Sequence, residues 1–134
     1  MRAVLDPNVL VSSLLSSGGT PAAILRRWEI GAFELVVSAA LLEELETALG
    51  YPRLTDRLSR DDGIAFVGMI RDKGLRAKDP ASQPPRSRDP RDDYLLALAE
   101  ATGALLVSGD RDLLGLSQEL PVTSPGEFLE LLGS

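Results

Sequence analysis

Short apolar runs alternate with longer amphipathic stretches along this chain, and each kind of segment predicts a different element. Five runs that are apolar or rich in β-branched residues predict strands at 3–5, 33–37, 75–77, 104–107 and 121–123. Capping residues and helical periodicity predict helices at 20–29, 39–49, from 61 or 62 to 73, 89–102 and 125–132, with a helical turn at 111–116. Residues 9–15 either begin a helix or bridge to the next one.

This alternation of strands and helices predicts a parallel sheet with right-handed crossovers. We therefore expect an α/β protein with a central parallel sheet of four or five strands. The sequence has no internal repeat, and the polar segment 78–88 is too short to link two domains. Residues 1–134 are accordingly expected to form a single domain.

Two residue types that the chain lacks restrict its chemistry. It has no Cys and no His, which excludes thiolate nucleophiles, Ser-His-Asp triads and ordinary zinc sites. Any catalysis must rest on carboxylates, hydroxyls, Lys, Arg and a metal, and oxygen ligands suit Mg²⁺ or Mn²⁺. The net charge of −6 argues against a protein that coats nucleic acid electrostatically. No leader pattern and no run of about 18 apolar residues is present, so we expect a cytoplasmic protein without membrane contact.

Acidic residues follow two of the predicted strands. Asp6 comes after strand 3–5, and Asp110 comes after strand 104–107. The carboxyl ends of parallel strands lie at one edge of a sheet, so these carboxylates can meet there. The alternative is that both are ordinary turn residues, because Asp favours turns.

The helix predicted at 39–49 and the acids near residue 90 supply further candidates. On a helical wheel Glu44 lies at the border of the apolar stripe, where it either has a polar partner or extends to solvent. Asp89 and Asp92 fit the cap and first turn of the next helix, which leaves Asp93 as the candidate ligand. Asp112 is a further candidate, although it also fits a cap.

Four segments in this order resemble the PIN-domain nucleases, and in particular the VapC-like toxins of toxin–antitoxin systems. They are Val4-Leu5-Asp6-Pro7-Asn8, Ser38 to Leu45, Asp89 to Ala99, and Ser108-Gly109-Asp110-Arg111-Asp112. The resemblance covers residues 2 to about 132 and implies a three-layer α/β/α fold. Pro7 departs from the family, in which many members carry Thr at this position.

The resemblance also implies a Mg²⁺- or Mn²⁺-dependent endoribonuclease whose metal ligands are Asp6, Glu44, Asp93 and Asp110, with Asp112 as a fifth catalytic acid. Asp93 or Asp112 would orient the attacking water. The helper positions are Asn8, Ser38 and Ser108. Further implied features are an RNA substrate, an antitoxin partner and a homodimer.

Half of the 14 basic residues fall between Arg71 and Arg91. Among them Arg86, Arg88 and Arg91 are candidates for contacts with RNA phosphates, the alternative being a solvated loop.

Three other functions remain open from the sequence. A housekeeping RNA-processing nuclease would use the same chemistry. A Mg²⁺-dependent phosphotransfer domain also has an Asp after its first strand, but this chain has Asn8 where the phosphatase type has a second Asp, and it lacks a Lys after a convincing strand. A non-catalytic binding module is disfavoured by the complete set of acids.

Overall fold

The computed structural model describes residues 1–133 and contains one sheet of five parallel strands. The strand order is β3-β2-β1-β4-β5. The strands are β1 (Arg2–Leu5), β2 (Glu34–Val37), β3 (Leu75–Arg76), β4 (Leu105–Val107) and β5 (Val122–Thr123). The α/β class and the parallel sheet are therefore confirmed, with strand bounds within one residue of the sequence prediction.

Residues 1–133 also contain eight α-helices and one 3₁₀ turn, of which all but the last helix connect strands. The helices are α1 (Pro7–Leu15), α2 (Thr20–Glu29), α3 (Ala39–Leu49), α4 (Pro52–Thr55), α5 (Arg60–Lys73), α6 (Asp93–Thr102), α7 (Arg111–Leu114) and α8 (Pro125–Leu132), and the 3₁₀ turn is Pro90–Asp92. Helix α4 is missing from the sequence prediction, because a proline soon after a helical stretch is also typical of a helix end; in the structure Pro52 occupies the first turn of a new helix. Helix α5 begins at Arg60 because the Ser59 hydroxyl accepts a hydrogen bond from the Asp62 NH.

The core consists of the sheet and the apolar faces of the helices. The side chains of β1 from Ala3 to Leu5 are at most 1% exposed, as expected for a central parallel strand that is covered on both faces. Helix α6 packs on β1 and β4, whereas α1 packs against α2 and α3. The rings of Phe33 and Phe128 meet edge to face at 5.0 Å, which attaches α8 to the segment before β2.

The strand order determines where the site lies. Strand β1 is at the centre and β4 is its neighbour, with Leu5 opposite Val107 in the register. The backbone NH of Asp6 donates to the carbonyl of Val107 at 3.0 Å, so the pairing continues to the end of β1. The residues that follow both strands therefore emerge side by side at the carboxyl edge of the sheet.

No single helix in residues 1–133 has the length and apolar character needed to cross a membrane. Helices α1 and α2 meet that criterion only as a pair, with a bend of 98° between them.

Candidate active site

Asp6 lies at the end of β1 and is only 6% exposed. It is the N-cap of α1, because its Oδ1 accepts a hydrogen bond from the backbone NH of Asn8 at 3.0 Å. Burial raises the pKa of Asp6, and the hydrogen bonds from Asn8 and Ser108 oppose this effect. The negative charge of Asp110 raises the pKa of Asp6 further. The carboxylates of Asp6 and Asp110 are thus electrostatic neighbours, as their positions after β1 and β4 predict.

Ser108 connects these two acids. Its fully buried hydroxyl donates to Asp6 Oδ2 at 2.8 Å and accepts from the backbone NH of Asp110 at 3.0 Å. Asp110 in turn caps α7, since its Oδ1 accepts from the NH of Asp112 at 2.8 Å. A small hydroxyl residue is required here because only a short side chain with both a donor and an acceptor can join the two strand ends.

Glu44 approaches from α3 and is partly buried, and the hydroxyl of Tyr94 on α6 donates a hydrogen bond to its Oε2. The border position of Glu44 on the helical wheel therefore corresponds to a carboxylate with a polar partner rather than one that extends to solvent. The neighbouring acids Glu43 and Glu46 are exposed.

Ser38 lies outside this group of acids and acts as a helix cap. Its buried hydroxyl accepts from the NH of Leu41 at 3.3 Å and so fixes the start of α3. Asp79 also stabilises this helix end, because its Oδ2 accepts from the NH of Ala40 at 2.9 Å. Ser38 thus supports the helix that carries Glu44, and the structure shows no hydrogen bond from Ser38 to an acid within residues 1–133.

Asp93 and Asp92 have opposite environments. Asp93 is 5% exposed, and its Oδ1 accepts from the NH groups of Arg86 and Ser87 and from the Ser87 hydroxyl, at 3.0, 2.9 and 2.8 Å. Burial acts to raise the pKa of Asp93, but these hydrogen bonds lower it on balance. Asp93 therefore anchors the preceding loop to the start of α6.

Asp92 faces the other acids instead. Burial raises the pKa of Asp92 to about 6, and negative charges act in the same direction. In decreasing order of effect, these charges are those of Asp6, Asp89, Asp110 and Glu44. This arrangement is the reverse of the sequence-based expectation, which assigns Asp92 to the helix dipole and Asp93 to the site. The physical reason is that residues 90–92 form a separate 3₁₀ turn capped by Asp89, so that α6 begins only at Asp93, whose carboxylate is bound by Arg86 and Ser87.

We refer to Asp6, Glu44, Asp92 and Asp110 as the acidic cluster. Among residues 1–133, none of the five salt bridges involves a member of it. Within the same residues, no three acids already converge as a complete cation cage. The cluster is thus an assembly of mutually repelling carboxylates without a neutralising protein cation, and side-chain adjustment would be needed to enclose an ion.

The remaining candidates lie around the cluster. Asp112 is exposed and pairs loosely with Arg88, at 3.8 Å between Oδ1 and Nε. The guanidinium of Arg88 is otherwise open to solvent, and that of Arg91 pairs with Asp89 at 2.8 Å. Arg86 differs, because its guanidinium is largely buried and bound to Glu100. Arg86 is therefore placed as a structural residue, which leaves Arg88 and Arg91 as the accessible cations of the three.

A cleft of about 370 Å³ opens beside two members of the cluster, Asp6 and Asp110. It is lined by Asp6, Asn8, Val9, Ser12, Pro21, Gly109, Asp110 and Pro125. Asn8 is exposed in this cleft, so its amide can reach a ligand there. A larger cavity of about 630 Å³ lies among α3, α4 and α5 and contains no member of the cluster.

The sequence interpretation overlooks Tyr94, Ser87 and the position of Asp92. One signal in the sequence could have drawn attention to Tyr94. This signal is its position, because a polar aromatic residue stands there between the acids and the apolar stripe of α6. Ser87 and Asp79 carry no such signal, because their roles depend on how the 77–89 segment folds back on α3 and α6.

Comparison with known proteins agrees with this fold. The family model of the PIN domain matches residues 2–112. The chain therefore belongs to the PIN-domain family, a family of nucleases that generally use divalent metal ions.

A relative in Methanocaldococcus jannaschii, the uncharacterized protein MJ1680, is 25% identical over 140 residues, which is 97% of this chain and 90% of the relative. A chain of the crystal structure of VapBC2 from Rickettsia felis, bound to a DNA fragment from their promoter, superimposes with a TM-score of 0.65. That match has 13% identity and covers 92% of this chain and 98% of the other. The crystal structure of PAE2754 from Pyrobaculum aerophilum superimposes with a TM-score of 0.67 at 17% identity, over 98% of this chain and 89% of the other. At these identities the two structures show a shared fold.

Proposed function

We propose that this protein is a divalent-metal-dependent endoribonuclease that acts in the cytoplasm as the toxin of a toxin–antitoxin pair. The observation that carries the proposal is the acidic cluster itself. Four carboxylates come from four separate segments near the carboxyl edge of the sheet. Burial raises the pKa of Asp92 to about 6, together with the charges of the other three members and of Asp89. Such a cluster is unfavourable unless a cation is present.

The residues of the cluster fit a divalent cation by their chemistry. All four supply carboxylate oxygens, which are the ligands that Mg²⁺ and Mn²⁺ prefer. We assign the metal-holding role to Asp6, Glu44, Asp92 and Asp110, with Asp92 taking the place given to Asp93 by sequence. When bound, a divalent ion lowers the pKa of water and stabilises charge on a phosphoryl oxygen.

The other residues of the site would bind and orient the substrate. The amide of Asn8 lies in the cleft and can contact a phosphate or a base. Arg88 and Arg91 are exposed and pair with Asp112 and Asp89, and in the complex they would exchange these carboxylates for RNA phosphates. Asp112 would then be free to accept a proton from the attacking water.

The toxin role is supported by the likeness to a chain of the VapBC2 complex. An antitoxin would cover the cleft, and an electropositive segment of that partner would complement the acidic cluster. A homodimer belongs to the same proposal, since many small proteins of this size associate as symmetric dimers.

The test is cleavage of RNA by the purified protein with Mg²⁺ or Mn²⁺, with an EDTA control. We expect internal cleavage that disappears with EDTA and with Asp6→Asn or Glu44→Gln. Glu43→Gln is the matched control for Glu44→Gln, because it makes the same change at an exposed position of the same helix. Cleavage that persists in Asp6→Asn and Glu44→Gln would show that the activity comes from a contaminant and would refute the proposed site.

The toxin role is tested separately from the chemistry. Expression of the wild type in a bacterial host is expected to arrest growth, and Asp6→Asn is expected to be harmless at the same protein level. Unimpaired growth with an enzyme that cleaves RNA in vitro would favour a housekeeping nuclease.

A further inference from the structure

Tyr94 joins two parts of the acidic cluster that come from distant regions of the sequence. Its ring is carried by the first turn of α6, two residues after Asp92, and its hydroxyl donates to Oε2 of Glu44 on α3. This hydrogen bond is partly buried and joins residues that are 50 positions apart in the sequence.

We propose that Tyr94 is a positioning residue that holds the Glu44 carboxylate at the metal site, with Oε2 bound to the tyrosine and Oε1 left for the cation. This inference rests on the proposed function, since it concerns the orientation of a metal-holding residue. Tyr94 itself does not contact the cation or the substrate in this arrangement.

The geometry gives a reason for such a residue. A glutamate in a helix has three rotatable side-chain bonds, and fixing them for a metal costs conformational entropy. A tyrosine has a rigid ring, so its hydroxyl can hold the carboxylate in place at little further entropic cost. Hydrogen bonds to metal-ligating carboxylates commonly serve this purpose.

The first residues of α6 divide three tasks between them. Asp92 faces the acidic cluster, Asp93 anchors the segment at Arg86 and Ser87, and Tyr94 binds Glu44. The hydrogen bond of Tyr94 thus sets the distance between the acid from α3 and the acid before α6.

The test compares Tyr94→Phe with Tyr51→Phe in the full-length protein. Tyr51 is the matched control because it is the second of the chain's two tyrosines and its side chain is half exposed. Mn²⁺ binding is measured by electron paramagnetic resonance on metal-free protein. We expect the affinity of Tyr94→Phe for Mn²⁺ to fall about 10-fold, which is the lower end of the effect of removing a partner of a metal ligand. Tyr51→Phe is expected to bind Mn²⁺ like the wild type.

A double-mutant cycle separates positioning from packing. In a Glu44→Gln background, Tyr94→Phe is expected to cause no further loss of Mn²⁺ affinity, because the two changes remove one interaction. In cleavage assays Tyr94→Phe is expected to lower kcat at fixed Mn²⁺ while the KM for RNA stays unchanged.

Two outcomes would overturn the inference. An unchanged Mn²⁺ affinity in Tyr94→Phe would mean that the ring only packs, and a higher affinity would mean that the hydroxyl competes with the cation. If the wild type neither binds Mn²⁺ nor cleaves RNA, the proposed function fails first. If the wild type does both and Tyr94→Phe matches it, only the inference fails.

A second measurement does not depend on the folding of Tyr94→Phe. In the Tyr51→Phe protein, Tyr94 is the remaining tyrosine, so its near-ultraviolet absorbance can be followed during Mg²⁺ titration. We expect a saturable tyrosine difference band that is absent when Glu44→Gln is added. A Mg²⁺ titration that leaves this band flat in the Tyr51→Phe protein would contradict the proposal.

Discussion

The opposite environments of Asp92 and Asp93 predict opposite effects of the same substitution on stability. Asp92→Asn removes a charge that is repelled by the other members of the acidic cluster, so it should stabilise the metal-free protein. Asp93→Asn weakens three hydrogen bonds to a buried carboxylate, so it should destabilise it. The two residues are adjacent in sequence, which makes each variant the control for the other.

The magnitudes follow from the structure. The pKa of Asp92 rises from 3.8 to about 6. At about 1.4 kcal/mol per pKa unit this corresponds to at most about 3 kcal/mol, and solvent screening of a partly exposed group reduces it to about 1 kcal/mol. For Asp93, each of the three hydrogen bonds loses its charge assistance, which amounts to about 0.7 kcal/mol per bond and about 2 kcal/mol in total.

The two effects also differ in their pH dependence. The pKa of Asp92 is higher in the folded state than in the unfolded state, so its contribution to stability falls as the pH rises from about 4 to about 6 and stays unfavourable above that. The pKa of Asp93 is lowered on folding, so its favourable contribution is lost only as the pH falls below its unfolded value of 3.8.

The assay is urea denaturation in EDTA at about pH 4.5 and about pH 7, followed by the fluorescence of the single tryptophan, Trp28, which is buried. At the higher pH we expect Asp92→Asn to be more stable than the wild type and Asp93→Asn to be less stable. At the lower pH most of the gain in Asp92→Asn should disappear, while the loss in Asp93→Asn should remain. A destabilised Asp92→Asn together with a neutral or stabilised Asp93→Asn would refute the reasoning and restore Asp93 to the acidic cluster.

Three further predictions concern the support of the site and its surroundings. Ser108→Ala should lower the free energy of unfolding by about 2 kcal/mol and reduce RNA cleavage, because Asp6 loses a buried hydrogen bond. Thermal melting measures the first effect, and a cleavage assay measures the second. Gly74→Ala should destabilise the protein by about 1–3 kcal/mol, since the added Cβ would lie 2.7 Å from a backbone carbonyl oxygen of α5. The control Gly68→Ala, inside α5, should be neutral or stabilising, and urea denaturation measures both variants. Arg88→Ala should raise the KM for RNA without a change in stability. It should also reduce the slope of log affinity against log salt concentration by about the value for one phosphate contact. An unchanged slope would exclude this contact.

The sequence by itself determines the local elements and the acids that follow them. The bounds of α2, α3 and α8 agree with the prediction because apolar periodicity and helix-starting residues such as Ser38 and Pro125 are local signals. The positions of Asp6 and Asp110 are likewise predictable, since both follow short apolar strands whose carboxyl ends share one edge of a parallel sheet. The rule that a partly buried carboxylate needs a polar partner also gave Glu44 its place as a candidate.

Only the tertiary structure decides which side chains complete the site. The hydrogen bond between Tyr94 and Glu44 spans 50 residues, and no periodicity within α3 or α6 encodes it. The choice between Asp92 and Asp93 depends on a 3₁₀ turn and on a loop that folds back to donate three hydrogen bonds to Asp93. Both depend on the free energy of packing distant segments together, whereas sequence patterns report the preferences of each segment alone.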